Sequence, residues 1–242
     1  MSIAENIARI QQQIEAAAHR AGREASEVSL MAVSKTVSAE RIREAYAAGI
    51  RLFGENRVQE FAGKAQALAD LNGAEWHMIG HLQSNKSRAA AELFRGVDSV
   101  DSLRLLQRLN SAAQELEEKF PVLIEINIGG EAAKSGVAAE SEELEQILTG
   151  APQCASIEIC GLMSVPPYSD DPEESRLFFR RMRALRDHIA TRKLPAISVA
   201  TLSMGMSHDF EVAIAEGSTC VRIGTAIFGE RATAPSRESG SV

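Results

Sequence analysis

One lysine stands where chemistry could be done. Lys35 ends an apolar run, Val28-Ser-Leu-Met-Ala-Val-Ser-Lys35-Thr36, and Ser38-Ala-Glu-Arg follows as the start of a helix. A lysine flanked by apolar surface loses its proton more readily and becomes a nucleophile towards a carbonyl. Position alone favours a blander fate, a lysine snorkelling from a strand end into water. Two further stretches bear on the choice. Ser203-Met-Gly-Met-Ser207 and Gly224-Thr225 combine glycines, which let a backbone approach a ligand closely, with hydroxyl donors. At helix starts that composition suits a phosphate. Either stretch by itself is also what a tight turn needs.

The elements that must position these residues follow from periodicity. A helix is expected from Ile3 to about Arg20, with Ser2 and Glu5 at capping-box spacing and Ile3, Ile7, Ile10 and Ile14 on one face. Strands are expected over 28–34, 50–53, 75–79, 97–101, 122–128, 157–163, 197–202 and 219–223. Helices are expected over 38–48, 57–71, 85–93, 103–119, 140–148, 171–191 and 208–216. The first strand is apolar without clean alternation, as in a parallel sheet covered on both faces. Regular alternation of strand and helix implies right-handed parallel crossovers, and eight strands close into a single (β/α)8 TIM barrel with an extra N-terminal helix. An open doubly wound sheet is the rival, but no Gly-x-Gly-x-x-Gly follows the first strand. Residues 1–231 read as one domain, and the Ala-, Ser-, Pro- and Gly-rich tail over 232–242 as disordered.

Composition narrows the classes of function. The net charge of −7 argues against a nucleic-acid binder. The arginines at 176, 180, 181, 183 and 186 share their helix with acids and read as a solvated face. Cys154, Cys160 and Cys220 lie in apolar stretches without a disulfide pattern and read as reduced core residues. No stretch has the length of a signal peptide's apolar region or a membrane span, which places the protein in the cytoplasm. His77 and His81 lack the context of a zinc site, so no metal is expected, and Trp76 reads as a core aromatic.

On a barrel, the loops after the strands share one face. There stand Lys35; Glu55 and Asn56; His81, Gln83 and Asn85; Lys134; Ser164; Ser203, Gly205 and Ser207; and Gly224 with Thr225. An imine-forming lysine and a phosphate cradle in one barrel mouth point to pyridoxal 5′-phosphate. Arg222, inward on the last strand, could then face the pyridine nitrogen and, being unable to lose its proton, leave that nitrogen unprotonated. A buried ion pair, with Glu125 or another inward carboxylate, explains Arg222 as readily.

Six blocks in order make the sequence similar to a known family. They are Ala32-Val-Ser-Lys35-Thr, Phe53-Gly-Glu-Asn56-Arg-Val-Gln-Glu60, Trp76-His-Met-Ile-Gly-His-Leu-Gln-Ser-Asn-Lys86, Gly161-Leu-Met-Ser164, Leu202-Ser-Met-Gly-Met-Ser207-x-Asp209 and Val221-Arg-Ile-Gly-Thr225-x-Ile-Phe-Gly229. From the first helix to about Arg231 the chain resembles the pyridoxal-phosphate homeostasis protein family, also known as the YggS or proline synthetase co-transcribed family. The resemblance implies a fold-type III barrel like the N-terminal domain of alanine racemase. It implies that Lys35 forms the imine, that Ser203, Gly205, Gly224 and Thr225 surround the phosphate, that Arg222 faces the pyridine nitrogen, and that Asn56 and Met204 line the ring. Lys134 matches a second lysine to which cofactor transfer is ascribed. Where some relatives carry another lysine two residues after the first, this chain has Val37.

The family is regarded as buffering or delivering vitamin B6 cofactor rather than turning over amino acids, so no catalytic residue is assigned. The expected partners are the cofactor and the apo-forms of enzymes that use it, with the carrier itself a monomer. A weak amino-acid racemase is the alternative. Racemisation needs a second base opposite the lysine, which racemases take from a further domain. The sequence given ends after the barrel, and of its tyrosines only Tyr168 falls on a barrel-top loop.

Overall fold

The computed structural model describes residues 1–131 and 133–229; the expected disordered tail and the last residues of the expected domain lie outside them. Eight parallel strands close in sequence order into a barrel, from β1 to β8 and back to β1. They are β1 (Ser29–Val33), β2 (Leu52–Glu55), β3 (Glu75–Met78), β4 (Gly96–Val100), β5 (Phe120–Glu125), β6 (Ile157–Met163), β7 (Ile197–Ser203) and β8 (Cys220–Ile223). The helices are α1 (Ile3–Arg20), α2 (Ala39–Ala47), α3 (Val58–Leu68), α4 (Ser87–Leu93), α5 (Leu103–Glu115), α6 (Glu142–Gly150), α7 (Arg176–Thr191), α8 (Phe210–Ala215) and α9 (Thr225–Phe228). The expected single barrel with an extra N-terminal helix is the architecture found.

Local chemistry explains most boundaries. In α1, Ser2 Oγ accepts from the Glu5 N–H and the Glu5 carboxylate accepts from the Ser2 N–H, so two of the orphan donors of the first turn are satisfied. Its stripe of Ile3, Ile7, Ile10, Ile14, Ala17 and Ala18 is buried against α8, α9 and α2, closing the outer layer beside the last strands. Three expectations shift. β2 begins later than expected and takes in Gly54 and Glu55. α5 stops at Glu115 rather than Lys119. Glu117 adopts φ 57° there, and the Glu118 N–H bonds back to the Ala113 carbonyl. This is a left-handed helix stop built on glutamate, so the glycine that usually announces it is missing.

β5 ends at Glu125 rather than Ile128, because Val137 folds back to bridge Ile126. That return runs through Gly136 at φ 98°, where a Cβ would lie 2.9 Å from the Asn127 nitrogen. Only glycine fits, and this return to a parallel bridge fixes the loop that carries Lys134. α9, four residues long, was not expected from periodicity, which a single turn is too short to display.

Two aromatic contacts fasten the outer layer, with Trp76 stacked 5.4 Å from Phe53 and 5.3 Å from Phe61 between centroids. Cys154 and Cys220 are buried as expected, but Cys160 is half-exposed. It faces an open cavity of about 490 Å³ among the strand N-termini, together with Met31 and the His77–Asp98 pair. The arginines of α7 lie on the solvated side, where Arg176 pairs with Glu173 and Glu216 and Arg186 with Asp187. Among the described residues no helix is long and apolar enough to cross a membrane.

Candidate functional site

The C-terminal ends of the strands carry the residues that the sequence singled out, and pairing between β1 and β8 sets their order. Met31 lies opposite Arg222 and Ala32 opposite Ile223. Continuing that register past the strand ends puts the turn carrying Lys35 beside Gly224 and Thr225. Gly224 confirms the approach, since a Cβ there would sit 3.4 Å from the Val33 side chain. Lys35 itself is half-buried in a turn whose next residue, Thr36, has φ 61°. A β-branched residue in the left-handed region is strained and persists only where its surroundings hold it.

Those surroundings are polar and buried. Lys64, on the first turns of α3, reaches Glu55 Oε1 at 2.8 Å and Glu60 Oε1 at 3.1 Å. The same ammonium donates to the Ser34 carbonyl at 3.1 Å and the Val37 carbonyl at 3.4 Å. The Ser34 hydroxyl donates to Glu55, and the Thr36 N–H donates to Glu60. Glu55 has no solvent exposure. Burial pushes its pKa above the ordinary value, against the lowering effect of Lys64 and Ser34.

Arg222 answers the question that the sequence left open. It is 4% exposed, with Nη1 donating to Ser203 Oγ at 2.7 Å and Nη2 to the Ser164 carbonyl at 2.8 Å. Among the described residues no carboxylate pairs with it directly, so the ion pair with Glu125 is not what holds it. Burial pulls its pKa down, and the more distant charges of Cys220, Asp98, Glu125 and Asp209 pull it back. Glu125, further round the barrel, has one carboxylate oxygen buried without a partner. Its pKa is pushed up to about 7, first by burial and then by Asp101, with Arg222 and His81 opposing.

The loops after β7 and β8 form a single unit. Arg222 N donates to the Gly205 carbonyl at 3.0 Å and Met204 N to the Cys220 carbonyl at 3.1 Å. Gly205 adopts φ 93°, and a Cβ there would lie 2.6 Å from that of Ala213. Ser207 Oγ accepts from the Ala226 N–H at 3.4 Å, which brings its hydroxyl to the N-terminus of α9. Ser203 and Met204 are fully enclosed, whereas Ser207 and Gly224 are half-buried and Thr225 is exposed. The surface of the cradle is therefore Ser207, Gly224 and Thr225. Ser203 holds Arg222, and Met204 belongs to the apolar core behind it. Ser207, to which the resemblance assigns no role, reaches the cradle through its place in the turn.

The remaining expected residues surround this unit at other strand ends. Asn56 is half-buried where the loops after β2 and β3 touch, and a Cβ on Gly80 would lie 2.9 Å from the Asn56 Cα. Lys134 is tied to Glu131 and donates to the Pro166 carbonyl at 3.1 Å, joining the loops after β5 and β6. Tyr168 is 76% exposed and donates to Asp170 at 3.1 Å. His77 and His81 pair with Asp98 and Asp101 at 2.8 and 3.0 Å, and no group of three or more metal-ligating side chains occurs among the described residues. The arrangement offers an amine, a buried cation with fixed donors, and a helix-start cradle for an oxyanion, all on adjoining strands.

The profile for the alanine racemase N-terminal domain matches residues 5–232. The pyridoxal phosphate homeostasis protein of Aquifex aeolicus is 43% identical over 231 residues, covering 96% of this chain and 99% of that one. The structure of PipY from Synechococcus elongatus, solved with pyridoxal phosphate bound, superposes with a TM-score of 0.82 at 37% identity, covering 94% and 100% of the two chains. Alanine racemase from Corynebacterium glutamicum shares the fold, with a TM-score of 0.69 at 20% identity over 95% of this chain and 61% of its own.

Proposed function

The chain belongs to the alanine racemase N-terminal domain family, and from that premise we propose that it binds pyridoxal 5′-phosphate and buffers or delivers it within the cell. The observation that carries this is the β1–β8 pairing, which sets the Lys35 turn beside Gly224 and Thr225, with Arg222 buried two residues before Gly224. The buried Arg222, free of a direct carboxylate partner among the described residues, and the close-packed Gly205 turn both fit a phosphorylated aromatic aldehyde. When bound, that cofactor supplies an aldehyde that a lysine amine captures as an imine and a ring that withdraws electrons.

In this reading the Lys35 amine takes the aldehyde. Ser207, Gly224 and Thr225 hold the phosphate through hydroxyls and the first N–H groups of α9, and Gly205 lets the turn close. Arg222 donates to the pyridine nitrogen, fixed in direction by Ser203 and Ser164. Asn56 flanks the ring, and Met204 packs behind Ser203. Lys134, anchored at the mouth by Glu131 and the Pro166 carbonyl, would be the second amine available to hold cofactor bound for apo-enzymes. A cytoplasmic monomer fits this role.

Borohydride reduction of the loaded protein, followed by peptide mapping, tests the assignment. The cofactor is expected on Lys35, and Lys35→Ala is expected to remove the visible absorption band while leaving the far-UV circular dichroism unchanged. Label recovered on Lys134 or Lys86 with Lys35 unmodified would overturn it.

A further inference from the structure

We propose that Lys64 is a positioning residue, the clamp that fixes the turn carrying Lys35 in the geometry that imine formation requires. The inference rests on the reading of Lys35 above and extends it to a residue outside the barrel mouth. Lys64 has four acceptors within hydrogen-bond reach, and all but Glu55 and Glu60 are carbonyls of that turn. Ser34 and Val37 bracket Lys35 and Thr36, so one ammonium grips the turn on both sides. The two carboxylates that neutralise it complete the grip, since Glu55 accepts from the Ser34 hydroxyl and Glu60 from the Thr36 N–H.

Two features separate this cluster from an ordinary surface ion pair. The Lys64 side chain is 13% exposed and that of Glu55 is 0% exposed, so water and salt screen the contacts little. The cluster also holds Thr36 at φ 61°, a conformation that a β-branched residue does not keep unaided. Release of the clamp lets Thr36 relax to an ordinary conformation and swings the Cα of its neighbour, Lys35. An amine displaced by about 1 Å attacks a bound aldehyde on the order of 100-fold more slowly.

The full chain is compared with Lys64→Met and Lys64→Arg, using pyridoxal 5′-phosphate and pyridoxine 5′-phosphate, whose alcohol cannot form an imine. Lys64→Met is expected to slow appearance of the visible band on the order of 10- to 100-fold. Pyridoxine 5′-phosphate affinity should stay within about twofold, and Lys64→Arg should restore part of the rate. Equal losses for both ligands would show a general structural defect and overturn the proposal, as would an unchanged rate. Should Lys64→Met fail to fold, Glu60→Ala removes the acceptor of the Thr36 N–H while Glu55 still neutralises Lys64, and it must show the same selective loss. A parent protein that takes no label at Lys35 refutes the underlying reading instead. A labelled parent matched by its variants refutes the clamp alone.

Discussion

Glu125 titrates near neutral pH, where most carboxylates are already ionised. Its ordinary pKa of 4.5 rises to about 7 because burial disfavours the charged form and Asp101 adds repulsion. The folded state therefore holds this proton more tightly than the unfolded chain. Its effect on stability is absent below about pH 4.5, grows as pH rises towards 7, and is constant above that. The full loss is at most about 3 kcal/mol, and water in the barrel mouth reduces it. Glu125→Gln keeps the shape and removes the titration. The variant is expected to match the parent at pH 4.5 and to exceed it at pH 8, measured by urea unfolding at both values. Identical pH dependence in parent and variant would show that Glu125 is well solvated. Arg222, its neighbour in the field, offers the contrast of a buried ion satisfied by a hydroxyl and a carbonyl instead of a countercharge.

Elements are held in place by residues whose smallness is required at a few points. On β6, a Cβ at Gly161 would lie 2.6 Å from the Thr201 carbonyl carbon and 2.8 Å from its Cβ. Both partners belong to β7, at the irregularity where Ile159 pairs with Ile197 and Gly161 with Thr201. Rigid backbone cannot yield as a side chain would, so Gly161→Ala must part the seam below Ser164 and Ser203. A cost of about 1–3 kcal/mol or more is expected. Gly63, in α3 with nothing within 4 Å of its missing Cβ, sets the control. Gly63→Ala is expected to stabilise by about 0.5–1 kcal/mol through helix propensity. Opposite shifts of the urea midpoint check the pair, and equal shifts would mean that the β6–β7 seam is slack.

At the scale of the whole molecule, a carrier and a racemase differ in what must stand over the mouth. Tyr168 is the only tyrosine among the described residues on a barrel-top loop, and it is 76% exposed with its hydroxyl on Asp170. A base for racemisation would have to be aimed inward and kept from water. Tyr168→Phe is therefore expected to leave cofactor binding unchanged. The parent protein in heavy water should exchange the α-proton of alanine no faster than free cofactor does. A general acid–base group contributes on the order of 10²–10⁴-fold in rate. Rapid exchange that Tyr168→Phe abolishes would place the protein among the racemising enzymes.

How much of this was legible beforehand follows from the range over which each signal acts. The α1 stripe, the capping box of Ser2 and Glu5, and the strand–helix alternation are written in local periodicity, and they sufficed for a closed eight-stranded barrel. The motif around Lys35 marked the candidate site because a polar residue ending a doubly buried strand is conspicuous in one dimension. Boundaries failed where a rule lost its usual residue, as at Glu117, or where a distant segment took over the pairing, as Val137 did at the end of β5. The partners of Arg222 were undecidable in sequence, because Ser203, Ser164 and Glu125 stand at similar depths on different strands. Only closure of the barrel chose the first two. The same holds for Lys64, which on its helix is one more exposed-looking lysine in an i,i+4 pair with Glu60. Its grip on Ser34 and Val37 exists only because α3 packs over the turn that ends β1, a contact between segments that local propensity does not encode.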